Sequence, residues 1–166
     1  MPLAAFYTSF LTALNRHRVE YLVVGGQAVN FHGYTRATLD LDIWIGKSKE
    51  NLQQLEKAFV SMGFDKVRSH DAIKHFIENH KINIPRDNNL IEILDAFILK
   101  ADFESAYIKR MTGKIEELSV SVIDLETLLE IKSSSTRIMD LNDAEKLRYI
   151  NSKNGPSEPE EGYTLR

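Results

Sequence analysis

The chain has 166 residues, 43% of them hydrophobic, with a formal net charge of −3 and no cysteine. This length suffices for one buried core but not for two ordinary domains. The lack of cysteine excludes disulfide frameworks, thiolate zinc sites and cysteine nucleophiles, and it fits a reducing cytoplasm. The acidic balance argues against a general nucleic-acid coat. No apolar stretch approaches the roughly 18 residues of a membrane span, so we expect a soluble, cytoplasmic protein without a membrane partner.

The first third of the chain predicts alternating helices and strands. Residues 3–18 carry apolar side chains at helical spacing and predict an opening helix. Residues 21–24 form a short apolar run, which is typical of a strand buried on both faces. Residues 27–31 fit a short helix that ends near Gly33, and residues 39–45 predict the second strand.

An amphipathic helix is the next predicted element, over residues 49–62, with Ser48 as its N-cap and Gly63 at its end. After it, two strands are predicted, at residues 64–67 and 77–84.

The second half of the chain completes a domain that we place at residues 1–150. Residues 151–166 are rich in proline, glycine and glutamate and predict a disordered tail or an interaction peptide. The other predicted elements are strands at 90–94 and 115–123 and helices at 102–111, 125–132 and 141–150, with Asp102, Asp124 and Asp140 as their caps.

Two carboxylates in the second predicted strand are the strongest functional signal. Asp40 and Asp42 are two residues apart, so on a strand both side chains point to the same face. Two like charges repel unless cations neutralise them, and Mg²⁺ binds one or two carboxylates together with water and phosphate oxygens. An alternative stays open, in which each aspartate forms a salt bridge with Arg36 or a neighbouring lysine.

Three further residues could complete a site around this pair. Gly25 and Gly26 end the first predicted strand, where backbone N–H groups at a helix start could bind phosphate, although a plain tight turn also explains them. Glu92 is the acidic residue inside the apolar run 90–94 and is the candidate third carboxylate; the alternative is a buried glutamate paired with a lysine. We assign Asp95, at the end of that run, a capping or turn role.

Several other charged residues have ordinary explanations. Lys132 is either solvated near a helix end or binds phosphate, and Asp140 with Asp143 fits a capping pair at a helix start. A local basic patch has five candidate residues, although solvated surface positions are the commoner explanation: Lys47, Lys49, Lys74, Lys81 and Arg86.

Together these residues resemble the nucleotidyltransferase superfamily related to polymerase β, most of all its small bacterial abortive-infection and toxin–antitoxin members. The resemblance includes C-terminal helices in which a lysine approaches the triphosphate. One departure is Glu92, which stands where the family usually has an aspartate. The segments that carry the resemblance are residues 23–26, 36–43, 91–94 and 128–132, with Arg137 and residues 140–143.

The resemblance implies an α/β (α+β) fold, a mixed sheet flanked by helices with the C-terminal helices over the nucleotide side. It implies transfer of a nucleoside monophosphate from a nucleoside triphosphate to a hydroxyl of a tRNA, a protein or a small molecule. Two Mg²⁺ ions are implied, and a toxin would have a cognate antitoxin. The Glu92 departure motivates an alternative, an inactive module that binds nucleotide or a partner protein. The implied metal-binding and catalytic residues are Asp40, Asp42 and Glu92, and the implied nucleotide-binding residues are Gly25, Gly26, Arg36 and Lys132.

Overall fold

A six-stranded sheet organises the chain in this computed structural model, which describes residues 5–154. Within that range the strands are β1 (Tyr21–Val24), β2 (Asp40–Ile45), β3 (Lys81–Arg86), β4 (Asn89–Leu94), β5 (Met111–Ile115) and β6 (Leu118–Val122). The helices are α1 (Ala5–Arg16), α2 (Gly25–Phe31), α3 (Lys49–Ser61), α4 (Lys66–Asn79), α5 (Ala96–Leu99), α6 (Phe103–Ile108), α7 (Leu125–Ser133) and α8 (Ile138–Asn154).

The sheet is mixed, with strand order β3-β4-β2-β1-β6-β5. The pairs β2–β4 and β1–β6 are parallel, and the other three neighbouring pairs are antiparallel. All four residues of β1 are buried. Successive side chains of a strand point to opposite faces, so this strand must be covered on both faces, as its sequence predicts. The predicted mixed sheet flanked by helices is therefore confirmed.

Most of the predicted elements are present with small shifts at their ends. Ser48 caps α3 by accepting a hydrogen bond from the backbone N–H of Asn51, and Asp124 caps α7 in the same way. The elements confirmed within the described range are the strands predicted at 21–24, 39–45 and 90–94 and the helices predicted at 3–18, 27–31, 49–62 and 125–132.

The predicted strand at residues 64–67 is wrong, because α4 begins within it. Asp65 caps this helix by accepting a hydrogen bond from the backbone N–H of Arg68. The predicted strand at residues 77–84 begins too early, since α4 continues into it. The helix ends where His80 adopts a left-handed φ of 66°, and β3 follows directly.

Three later predictions also need correction. The segment 115–123 is the end of a hairpin, because Glu116 turns the chain with a φ of 54° between β5 and β6. The helix predicted at 102–111 is the shorter α6, and its last predicted residue already belongs to β5. The helix predicted at 141–150 is the longer α8, so Asp140 lies in its first turn and is not its cap.

The α8 helix continues into the predicted tail as far as residue 154, and residues 155–166 lie outside the described residues. Residues 3 and 4 of the predicted opening helix lie outside them as well. Among residues 5–154, no helix combines the length and the apolar character that a membrane crossing requires.

Candidate functional site

The carboxylates predicted from the sequence lie at the centre of the sheet. In the strand register, Asp42 stands between Val24 of β1 and Glu92 of β4. Residues paired in register share a face of the sheet, and Asp40 shares that face because it lies two residues before Asp42. The structure thus brings the three carboxylates together on one face.

The glycine pair gives the central carboxylate its space. Gly25 has a φ of +62°, and a Cβ atom there would lie 2.0 Å from Oδ2 of Asp42. A Cβ atom on Gly26 would lie 2.5 Å from Oγ1 of Thr38. Any side chain at either position would collide with its neighbour, so both positions require glycine for reasons beyond an ordinary turn.

The carboxyl groups of Asp42 and Glu92 interact across the parallel pair of β2 and β4. Burial, together with hydrogen bonding to Glu92 and the charges of Glu92 and Asp40, raises the pKa of Asp42 to about 7. Burial also opposes ionisation of Glu92, but hydrogen bonds with Lys81 and Asp42 outweigh it and lower the pKa of Glu92. Near neutral pH, therefore, Glu92 is the carboxylate of the pair and Asp42 can hold a proton.

The two predicted nucleotide-binding cations are bound by aspartates of α8. Nε and Nη2 of Arg36 each lie 2.8 Å from an oxygen of Asp143, which is fully buried. Nζ of Lys132 lies 2.6 Å from Asp140 and 3.0 Å from Asp143. The predicted capping pair Asp140–Asp143 is wrong, because both carboxylates bind cations. A solvated Lys132 is excluded as well, since its side chain is buried.

Within the described residues, no salt bridge neutralises the aspartate pair. Among residues 5–154, neither Asp40 nor Asp42 forms an ion pair with an arginine or a lysine, and the guanidinium of Arg36 is turned to α8. Glu92 does have a lysine partner, since its carboxylate is in direct contact with Lys81. Asp95 has the capping role assigned from the sequence, because it accepts hydrogen bonds from two backbone N–H groups of α5.

A cavity of about 480 Å³ opens over these residues, between the sheet, α5 and the connection from α7 to α8. Two of its cations were not predicted as site residues, because no local pattern places them there: Lys81 was named only as a basic-patch candidate, and Lys100 was missed. Lys100 and Arg137 line the cavity, are exposed, and form no ion pair within the described part of the chain. All seven predicted site residues line the same cavity: Gly25, Gly26, Arg36, Asp40, Asp42, Glu92 and Lys132.

The donor atoms of the site fit a hard divalent cation. Asp40 and Asp42 offer carboxylate oxygens, which Mg²⁺ prefers, and a cation could replace the proton that Asp42 shares with Glu92. The ligands are not already clustered, since among residues 5–154 no group of three or more His, Asp or Glu side chains is arranged to hold a metal ion. A divalent cation therefore fits the site through Asp40 and Asp42, while the carboxylate of Glu92 contacts Lys81.

Comparison with solved structures supports the predicted fold. The chain is similar to a structure described as an antigenic nucleotidyltransferase-like protein from Paracoccidioides brasiliensis, with a TM-score of 0.54 and 16% sequence identity. The match covers 90% of this chain and 79% of that chain. The fold is nucleotidyltransferase-like. No protein-family model and no curated protein matches the sequence.

In the metal-free protein, the proton that Asp42 shares with Glu92 should have a measurable effect on the stability of the fold. The folded protein holds a proton on Asp42 up to about pH 7, whereas the ordinary value is 3.8. Because the folded state binds this proton more tightly than the unfolded state does, protonation of Asp42 stabilises the folded protein at low pH. This stabilisation is lost as the pH rises through about 7. Asp42→Asn has no such proton to lose. In EDTA, we expect the free energy of unfolding of the variant, relative to the wild type, to increase by about 2 kcal/mol from pH 5 to pH 8.

Urea unfolding, followed by the fluorescence of the buried Trp44, measures this difference. Asp71→Asn, on the exposed face of α4, is the matched control and should differ from the wild type by the same amount at both pH values. A difference for Asp42→Asn that is independent of pH would contradict the shared proton.

Proposed function

We propose that the protein is a Mg²⁺-dependent nucleotidyltransferase, which transfers a nucleoside monophosphate from a nucleoside triphosphate to an acceptor hydroxyl and releases pyrophosphate. The observation that carries the proposal is the cavity, in which Asp40 and Asp42 lie beside Glu92 on the sheet, with five cationic side chains among the other lining residues. This combination suits a polyphosphate, whose charge must be neutralised by cations.

Each carboxylate has a proposed role in this reaction. Asp40 and Asp42 would hold the metal, because they share a face and form no salt bridge within residues 5–154. When bound, Mg²⁺ supplies charge neutralisation for the phosphates and acidifies a hydroxyl group. Glu92 is ionised beside them and faces the cavity, so it is placed to accept the proton of the acceptor hydroxyl.

The free cations of the cavity are the best candidates to bind the phosphates. Arg36 and Lys132 already balance the two aspartates of α8, which leaves them less charge for a ligand. Arg137 and Lys100 line the cavity without an ion pair in the described range, so both can bind a triphosphate, although the charge of Arg137 also acts on Glu92 and Asp140. Phosphate binding by the backbone after Gly25 stays a prediction.

The finer expectations are proposals that rest on the sequence resemblance. The acceptor could be a tRNA, a protein or a small molecule, and the net charge of −3 disfavours a large RNA footprint. The toxin role, the cognate antitoxin and the cytoplasmic location stay predictions.

One observation favours a second candidate function, an inactive module that binds a nucleotide or a partner protein. Glu92 is in contact with Lys81, so the third carboxylate of the site is not free to bind a metal ion. A module of this kind would bind a nucleoside triphosphate without transferring any part of it.

Transfer can be tested with nucleoside triphosphates labelled at the α-phosphate, each incubated with the protein, Mg²⁺ and a fractionated lysate. We expect label to move to one fraction and transfer to fall at least about 100-fold in Asp42→Asn, because the metal loses a charged ligand. Asp71→Asn should transfer like the wild type.

The same reactions separate the two candidate functions when calorimetry measures nucleotide binding. Binding without transfer to any fraction would favour the module. Undiminished transfer by Asp42→Asn would contradict the metal assignment, and the absence of both binding and transfer would contradict both candidates.

Arg137→Gln should weaken the binding of a nucleoside triphosphate about tenfold, because it removes a free cation from the cavity while leaving the ion pairs of α8 intact. Calorimetry with a non-hydrolysable triphosphate measures the loss, which should be much smaller for the corresponding nucleoside. Arg148→Gln, on α8 and outside the cavity, should have no effect. Equal losses for triphosphate and nucleoside would show that Arg137 does not bind phosphate.

A further inference from the structure

The side chain of Lys81 reaches from an edge strand to one of the central carboxylates. It is the first residue of β3, at the margin of the sheet, and its register partner on β4 is Leu94. Glu92 lies two residues before that partner, on the same face, at the diagonal distance that a long side chain can span. The ammonium group makes use of this reach and is in direct contact with the Glu92 carboxylate.

The other cations near the carboxylates form no ion pair with them in the described range, although the charge of Lys132 also acts on Asp42 and that of Arg137 on Glu92. Arg36 binds Asp143, and Lys132 binds both Asp143 and Asp140. Within residues 5–154, Lys81 is therefore the one cation that forms an ion pair with any of the three central carboxylates. Lys81 also lines the cavity, although its side chain is partly exposed, so it belongs to the same site as the three carboxylates.

One divalent ion, together with Lys81, is enough to balance the charges of the three central carboxylates, Asp40, Asp42 and Glu92. Asp40 and Asp42 carry two negative charges when both are ionised, which one divalent cation balances. The charge of Glu92 is already balanced by Lys81. A second divalent ion bound through Glu92 would lie beside the ammonium group, and two cations at such short range repel strongly in a partly buried site.

We propose that Lys81 is a built-in cation that takes the place of a second divalent metal ion, so that the site binds one ion, at Asp40 and Asp42, and not two. This inference rests on the proposed function, because it requires that the aspartate pair binds a divalent cation. The two Mg²⁺ ions that the sequence resemblance implies would then correspond to one Mg²⁺ and one lysine.

Removal of the ammonium group should open the second position. In Lys81→Gln, Glu92 has no cation partner, and its carboxylate becomes available to a second ion together with Asp42. In Lys81→Arg the positive charge stays in place, so the second position should stay closed. Lys114→Gln removes one charge from an exposed position on β5, the opposite edge strand, and is the matched control.

The number of bound ions can be counted with Mn²⁺, whose free form gives a strong paramagnetic resonance signal. Protein stripped with EDTA and dialysed is titrated with Mn²⁺ at pH 7.5, in the absence of nucleotide. We expect one Mn²⁺ per chain in the wild type, Lys81→Arg and Lys114→Gln. We expect two in Lys81→Gln, with spectral broadening from the coupling of the two ions.

Two Mn²⁺ ions in the wild type, or one in a folded Lys81→Gln, would overturn the role of Lys81 while leaving the proposed function intact. No bound Mn²⁺ in the wild type would instead contradict the metal site of the proposed function. Circular dichroism shows whether Lys81→Gln folds. If Lys81→Gln does not fold, the number of Mn²⁺ ions bound by the wild type still tests the inference. Two bound ions would overturn it, and one bound ion would support it.

Discussion

The contact between the carboxyl groups of Asp42 and Glu92 is the constraint on which the rest of the site depends. Two ionised carboxylates cannot lie against each other in a partly buried position without a proton or a cation to balance them. The strand register fixes this contact, because the two residues are direct partners in a parallel pair. Gly25 lacks a side chain where the Asp42 carboxyl lies, and Lys81 meets the Glu92 carboxylate from the sheet edge.

The C-terminal helices are joined to the site by charge as well as by packing. Asp143 is fully buried and contacts Arg36, which precedes β2, and Lys132 on α7. Loss of one partner from such a network leaves an uncompensated buried charge, which typically costs about 3 to 5 kcal/mol. The network therefore fixes the wall of the cavity opposite the sheet, and it leaves Arg137 free for a ligand.

The sequence was informative where the signal is local. The two-residue spacing of Asp40 and Asp42 correctly predicted a shared face, and three of the four predicted helix caps, Ser48, Asp102 and Asp124, are correct. The short apolar segment at 64–67 was misassigned because few apolar residues do not distinguish a strand from a helix, although Asp65 is a sound N-cap. The partner of Arg36 lies 107 positions away in the chain, and such a pairing follows from the tertiary fold and not from any local pattern.

Anomalous diffraction from crystals of the protein soaked in Mn²⁺ tests the central claim most directly, since it locates the ion independently of any activity. We expect one anomalous peak within bonding distance of carboxylate oxygens of both Asp40 and Asp42, with Lys81 still in contact with Glu92. A well-diffracting, fully soaked crystal without a peak at the aspartate pair, or with Mn²⁺ bound elsewhere in the cavity, would contradict it.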